Sequence, residues 1–104
     1  MDADDSQFFL NIFRDEADTC LKDLRESLRA LYRDPEDTDA LERGYRAAHT
    51  IKGSAGLLKL GQVANLAREV EDGLRRAYNG LDKIAPTTVA HYARLADEIK
   101  ENIP

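Results

Sequence analysis

A single cysteine, Cys20, in 104 residues rules out a disulfide within the chain and fits a reducing compartment. There is no tryptophan, and only three prolines and six glycines punctuate the sequence, so long uninterrupted helices are open to it. No apolar run approaches the roughly 20 residues that a membrane span needs. Positive charge is in deficit: 15 Lys and Arg against 20 Asp and Glu leave a formal net charge of −5. That balance argues against nucleic acid as the main partner. The opening Met1-Asp2-Ala3-Asp4-Asp5 lacks the basic start and apolar middle of a signal peptide, so a cytoplasmic location is the expectation. No low-complexity tract, internal repeat or strand-like alternation is visible.

What is present is 42% hydrophobic and 34% charged residues, the balance of a soluble globular chain. The length suits one domain with one core over residues 1–104. Helical spacing predicts four helices, at about 6–33, 38–60, 62–79 and 87–102. In the first, Phe9, Phe13, Ala17, Cys20, Leu24, Leu28 and Leu31 form one stripe, with Asp5 or Ser6 as N-cap and Pro35 ending it. The second carries Leu41, Tyr45, Ala48, Ile51, Ala55 and Leu58 on its apolar side. It starts near Thr38 or Asp39, Glu42 completing a capping box if Asp39 caps, and Gly61 is expected just past its end. Val63, Leu66, Ala67, Val70, Leu74 and Ala77 mark the third, closed by Asn79-Gly80. Tyr92, Leu95, Ala96 and Ile99 mark the fourth, opened near Pro86. Short connections favour antiparallel neighbours, hence an all-α, up-down four-helix bundle.

The chemistry concentrates around His49. A lone helical histidine is ordinarily a surface residue or the satisfied partner of a neighbour. Here Ala48 and Ile51 take the inward positions, which turns His49 to the edge of the stripe. Lys52, Gly53 and Gly56 follow at three, four and seven residues, on the same face. Each glycine costs about 1 kcal/mol of helix stability relative to alanine. Two of them beside one imidazole suggest room for close approach by another molecule; tight helix packing is the plainer reading.

A phosphoryl-carrying histidine suits this arrangement. One ring nitrogen must be unprotonated to attack phosphorus, so the other holds the proton, and a carboxylate accepting that N–H fixes the tautomer. Lys52 offers an ammonium one turn away to offset the incoming charge. The third helix supplies carboxylates at Glu69, Glu71 and Asp72, and spacing alone does not choose among them. Glu71 borders the apolar stripe, and Arg68 lies three residues before it; a surface i,i+3 ion pair is the plain reading. Arg46 and Lys59 extend a basic strip with Lys52, either a solvated face or a docking strip for an acidic partner or a phosphate.

Other candidates are weak. His91 reads as a surface residue, Cys20 as a small core hydrophobe and the four tyrosines as boundary packing. No Glu-x-x-His pair precedes His49, so no metal site is expected. Gly53-Ser54-Ala55-Gly56 lacks the Lys-Ser/Thr and the preceding strand of a phosphate-binding loop. No nucleotide site or kinase machinery is visible.

The run His49-Thr50-Ile51-Lys52-Gly53-Ser54-Ala55-Gly56 resembles the His-x-x-Lys-Gly motif of histidine phosphotransfer (HPt) domains. The longer stretch from Tyr45 to Gly56 is most similar to the N-terminal phosphotransfer domain of CheA-type chemotaxis kinases, and the Phe8–Leu31 and Leu66–Leu74 segments resemble it too. The resemblance implies that His49 is phosphorylated on Nε2 and that Glu71 accepts the Nδ1–H. It makes Lys52 and Gly53 the motif lysine and glycine. It implies a histidine kinase catalytic domain as donor and a response-regulator receiver aspartate as acceptor, with ATP and Mg on those partners and no cofactor here. Arg68 stands where CheA-type domains often carry a second histidine; it keeps a donor but is permanently charged, so Lys52 and Arg68 become the phosphoryl-stabilising cations. The family's domain often has a fifth helix. A fragment of a larger kinase or receiver-containing protein and a short stand-alone carrier both fit the length, and the isolated domain is expected to be a monomer. The competing reading is a helical adaptor in which His49 is never modified.

Overall fold

The computed structural model describes residues 3–104, with side chains from Asp5 onward. Four helices follow one another: α1 (Ala3–Arg33), α2 (Thr38–Leu57), α3 (Gly61–Tyr78) and α4 (Pro86–Asn102). Each packs on its neighbours in the chain, and α4 closes against α1. Arg43–Glu26 with Ser54–Glu16 across α1 and α2, and Tyr45–Tyr78 with His49–Glu71 across α2 and α3, show these neighbours running antiparallel. This is the expected up-down four-helix bundle. No described helix is long and apolar enough to cross a membrane.

The ends of the helices follow local chemistry. Arg33 is the last residue of α1 before Asp34-Pro35, as the proline requires. α2 starts at Thr38, as expected, and Asp37 rather than Asp39 caps it, its side chain accepting from the Ala40 N–H at 3.0 Å. Glu42 therefore builds no capping box. α2 stops at Leu57, three residues earlier than spacing predicts. The Leu60 N–H bonds the Ala55 carbonyl at 2.8 Å and the Lys59 N–H bonds that of Gly56 at 3.1 Å. That pair of bonds is a Schellman motif whose left-handed residue is Lys59, at φ 60°. Gly61, expected in that role, instead opens α3. α3 ends the same way, with the Leu81 N–H bonded to the Arg76 carbonyl at 2.9 Å, and there Gly80 takes the left-handed turn at φ 75°. Pro86 sits in the first turn of α4 as anticipated.

The apolar stripes meet in one core. Phe13, Ala17, Leu24, Leu28 and Leu31 of α1 join Leu41, Ala48, Ile51 and Ala55 of α2, Val63, Ala67, Val70 and Leu74 of α3, and Tyr92, Leu95, Ala96 and Ile99 of α4. Leu21, absent from the expected stripe, is also buried, while Cys20 is only half-buried. Burial raises the Cys20 thiol pKa, reinforced by the charges of Glu16 and Asp23.

α1 is the odd member. Its 31 residues make a rod about 46 Å long, which is also the long axis of the molecule, 46 Å. α2, α3 and α4 have 20, 18 and 17 residues. The first turns of α1 therefore overhang the bundle, and the chain just past α4 meets α1 at Arg14, which donates to the Pro104 carbonyl. That is why Phe9, expected in the core, is 45% exposed, with Phe8 and Ile12 beside it. α1 also begins before Asp5 and Ser6, so its N-cap position lies outside the described residues.

Candidate functional site

The antiparallel register of α2 against α3 brings His49 level with Glu71. The carboxylate of Glu71 is 0% exposed, the only buried charged side chain among the described residues. Its Oε2 lies 2.7 Å from His49 Nδ1 and 3.0 Å from Arg75 Nη2, and its Oε1 lies 2.6 Å from Lys52 Nζ. One carboxylate thus gathers three cationic or potentially cationic groups. The contact with Lys52 is a short, charge-assisted ion pair.

Electrostatics follow from this geometry. Burial pushes the Glu71 pKa up, but hydrogen bonds from Lys52 and His49, and the charges behind them, outweigh burial and leave it below the ordinary glutamate value. Glu71 is therefore an anion at neutral pH and can only accept. His49 Nδ1 must then be the protonated nitrogen, which leaves the Nε2 lone pair free. The His49 side chain is 58% exposed, and Nε2 has no partner among the described residues. The arrangement is a ring held by one nitrogen and offered to solvent by the other, which suits a nucleophile.

The helix face around it is open. A Cβ added at Gly53 or Gly56 would meet nothing within 4 Å. Helix packing, the plainer reading of these glycines, finds no partner among the described residues. The glycines that do accommodate close packing are elsewhere. A Cβ on Gly44 would lie 2.7 Å from Leu74 Cδ1, and one on Gly73 would strike the Tyr92 ring.

These features coincide with similarity to known proteins. The Hpt domain family matches residues 9–102. The chain belongs to the Hpt domain family. Across 97 residues it is 39% identical to the sensor histidine kinase CheAY of Helicobacter pylori, covering 93% of this chain and 12% of that protein. It is 33% identical over 76 residues to the chemotaxis protein CheA of Bacillus subtilis, covering 73% of this chain and 11% of that one. Among solved structures, the CheA phosphotransferase domain from Thermotoga maritima superposes with a TM-score of 0.72 at 31% identity, covering 88% of this chain and 94% of that domain. A protein with a redesigned hydrophobic core superposes at 0.83, covering 91% of this chain and 84% of that one, but at 18% identity it shows the fold alone. The Hpt domain thus spans about an eighth of the length of the kinases it matches and nearly the whole of a phosphotransferase domain. Its place is histidine phosphotransfer in two-component signalling.

Within the Hpt domain, the remaining expected residues divide. Lys52, expected as a phosphoryl-stabilising cation, is paired with Glu71 Oε1 at 2.6 Å. Arg68 does not reach that carboxylate; it is exposed and bonds Asn65 Oδ1 at 3.3 Å, back along its own helix. Arg75, four residues after Glu71, occupies the carboxylate instead and was not anticipated. The signal was an i,i+4 Glu–Arg pair, hidden by the equal availability of Arg68 at i−3. The basic strip also shortens. Arg46 is balanced by Glu42 at 3.6 Å, and Lys59 lies on the turn beyond α2 rather than on its face. His91 is not free: its Nε2 lies 2.5 Å from Glu69 Oε2.

Proposed function

We propose that His49 is the phosphoryl carrier of this domain. A histidine kinase catalytic domain, in the same polypeptide or on another chain, presents ATP with its Mg, and the Nε2 lone pair attacks the γ-phosphorus. The N–P bond forms as the P–O bond to ADP breaks, and ADP leaves with the electron pair. The Nδ1 proton stays against Glu71, which stabilises the cationic ring. Lys52, with Arg68 nearby on α3, offsets the charge of the phosphoryl group. A receiver aspartate then attacks phosphorus, the N–P bond breaks, and His49 returns to neutral imidazole. Both catalysts are the partners; Gly53 and Gly56 leave them room at the ring, and the domain itself works as a monomer in the cytoplasm.

The observation that carries this reading is the 2.7 Å bond from Nδ1 to a buried anion on a ring that is otherwise open. The test uses phosphoramidate, a small donor that loses ammonia on transfer. The expected product is an acid-labile, base-stable gain of one phosphoryl group on His49, absent in His49→Gln. Labelling of His49→Gln at the wild-type level, on His91 or elsewhere, sinks the assignment. An unlabelled wild-type domain that still binds a receiver favours the adaptor.

A further inference from the structure

Arg75 reaches the site from outside the His-x-x-Lys-Gly pattern. Its guanidinium Nη2 makes an ion pair at 3.0 Å with Oε2 of Glu71, the same oxygen that accepts the His49 N–H. Its other contact is an aromatic face: the guanidinium carbon lies 4.9 Å from the centroid of the Tyr45 ring. Tyr45 sits on α2 one turn before His49, so Arg75 is pinned between the two helices that make the site. The Tyr45 ring is itself braced, edge-on to Tyr78 with centroids 5.4 Å apart. The Glu42 carboxylate of α2 beside the Tyr78 hydroxyl raises its pKa.

We propose that Arg75, clamped on Tyr45, is a positioning residue for phosphoryl transfer: it holds the Glu71 carboxylate in the orientation that accepts the His49 Nδ1–H. The proposal rests on reading His49 as the phosphoryl acceptor.

Rotation of a carboxylate about its last bond is soft. With Lys52 alone, the nearest full charge pulls from the Oε1 side, and the carboxylate is free to turn both oxygens toward the ammonium. Arg75 pulls on Oε2 from the opposite end of the seam. The carboxylate is thereby fixed at two points, and the lone pair left on Oε2 faces His49. A planar guanidinium suits this task because it can lie on the Tyr45 ring while its edge pairs with the carboxylate; an ammonium is a point charge without a stacking face. The consequence is chemical. An imidazole without a fixed acceptor at Nδ1 also populates the Nε2–H tautomer, and in that form the nitrogen that must attack phosphorus has no free lone pair. Arg75 thus acts through Glu71 on the fraction of His49 ready to react.

The test combines a spectroscopic and a kinetic reading on the whole 104-residue domain. Long-range proton–nitrogen correlation spectra report the tautomer of His49, and phosphoramidate labelling reports its reactivity. In Arg75→Ala the spectrum is expected to move toward the Nε2–H tautomer and labelling to slow about tenfold, the scale of losing an outer-shell partner of a reactive ring. Arg75→Lys should recover part of both effects, and Arg75→Gln, which keeps a donor without the charge, less. Tyr45→Phe, which keeps the ring face, should match wild type, and Tyr45→Ala should fall toward Arg75→Ala. A wild-type tautomer signature in Arg75→Ala overturns the proposal, as does slower labelling with an unchanged signature. Wild-type labelling confined to His49 keeps the carrier assignment intact in either case, so the two ideas fail separately.

Discussion

The domain carries two histidine–carboxylate pairs with the same sequence separation, His49–Glu71 between α2 and α3 and His91–Glu69 between α3 and α4. They are not equivalent. Glu71 is fully buried and holds Lys52 and Arg75 as well as His49, whereas the Glu69 side chain is 54% exposed and pairs with His91 alone. The nitrogens differ too: Glu71 takes Nδ1 and leaves Nε2 open, whereas Glu69 occupies Nε2 of His91. A histidine beside a carboxylate is therefore not in itself a site. What sets the α2–α3 pair apart is an anion that cannot relax into water, held by cations on both of its oxygens.

Removing each carboxylate gives the sharpest contrast. Glu71→Ala should slow phosphoramidate labelling of His49 at least about tenfold. It should also lower stability by about 1–2 kcal/mol, because it opens a cavity and leaves Lys52 and Arg75 without their counter-ion; their partial exposure keeps the cost below that of breaking a fully buried pair. Glu69→Ala should change neither by a comparable amount, and equal effects from the two variants would erase the distinction. The acid limb separates them further. A folded-state pKa below the ordinary value means that the stability from Glu71 is complete above that value, 4.5, and is lost as pH falls through the folded-state pKa. Melting temperatures across this window should fall more steeply for the wild type than for Glu71→Gln.

The open glycines carry the next effect, of opposite sign for stability and function. Gly56→Ala should stabilise the fold by about 0.5–1 kcal/mol, since α2 gains a better helix former and the new methyl meets nothing. Transfer from His49 to a receiver should slow while phosphoramidate labelling stays the same, because only a large partner needs the bare helix surface. Unchanged receiver transfer would remove the close-approach role of this glycine. The smallest effect belongs to the outer pair: His91→Ala should alter stability by no more than about 0.5 kcal/mol, the range of an exposed ion pair, as read by chemical denaturation.

Much of this was legible before folding. The 3.6-residue stripes, Pro35, Asn79-Gly80 and Pro86 mark the four helices, because these are local preferences of the chain. His49, Lys52, Gly53 and Gly56 share a face by spacing alone. The misses share one cause, which is that spacing within a helix says nothing of what lies across from it. Phe9 fits the α1 stripe perfectly well, and is exposed because α1 outruns its partners. Lys59 takes the left-handed turn at the end of α2 because the Leu60 N–H reaches back to Ala55, which places the turn two residues before Gly61. Arg68 and Arg75 flank Glu71 almost symmetrically in sequence, and only the position of the Tyr45 ring selects Arg75.

The sequence by itself determined the helices, the placing of His49 at the edge of the apolar stripe and the cation one turn from it, since each follows from periodicity and local chemistry along one segment. Only the tertiary structure decided which of Glu69, Glu71 and Asp72 orients the ring, and that this carboxylate is held from both ends. The physical reason is that burial and register are properties of two helices together. The same glutamate is an ordinary surface charge on an isolated α3, and is held below its usual pKa only when α2 brings the Lys52 ammonium and the His49 N–H to it, against the opposing effect of burial.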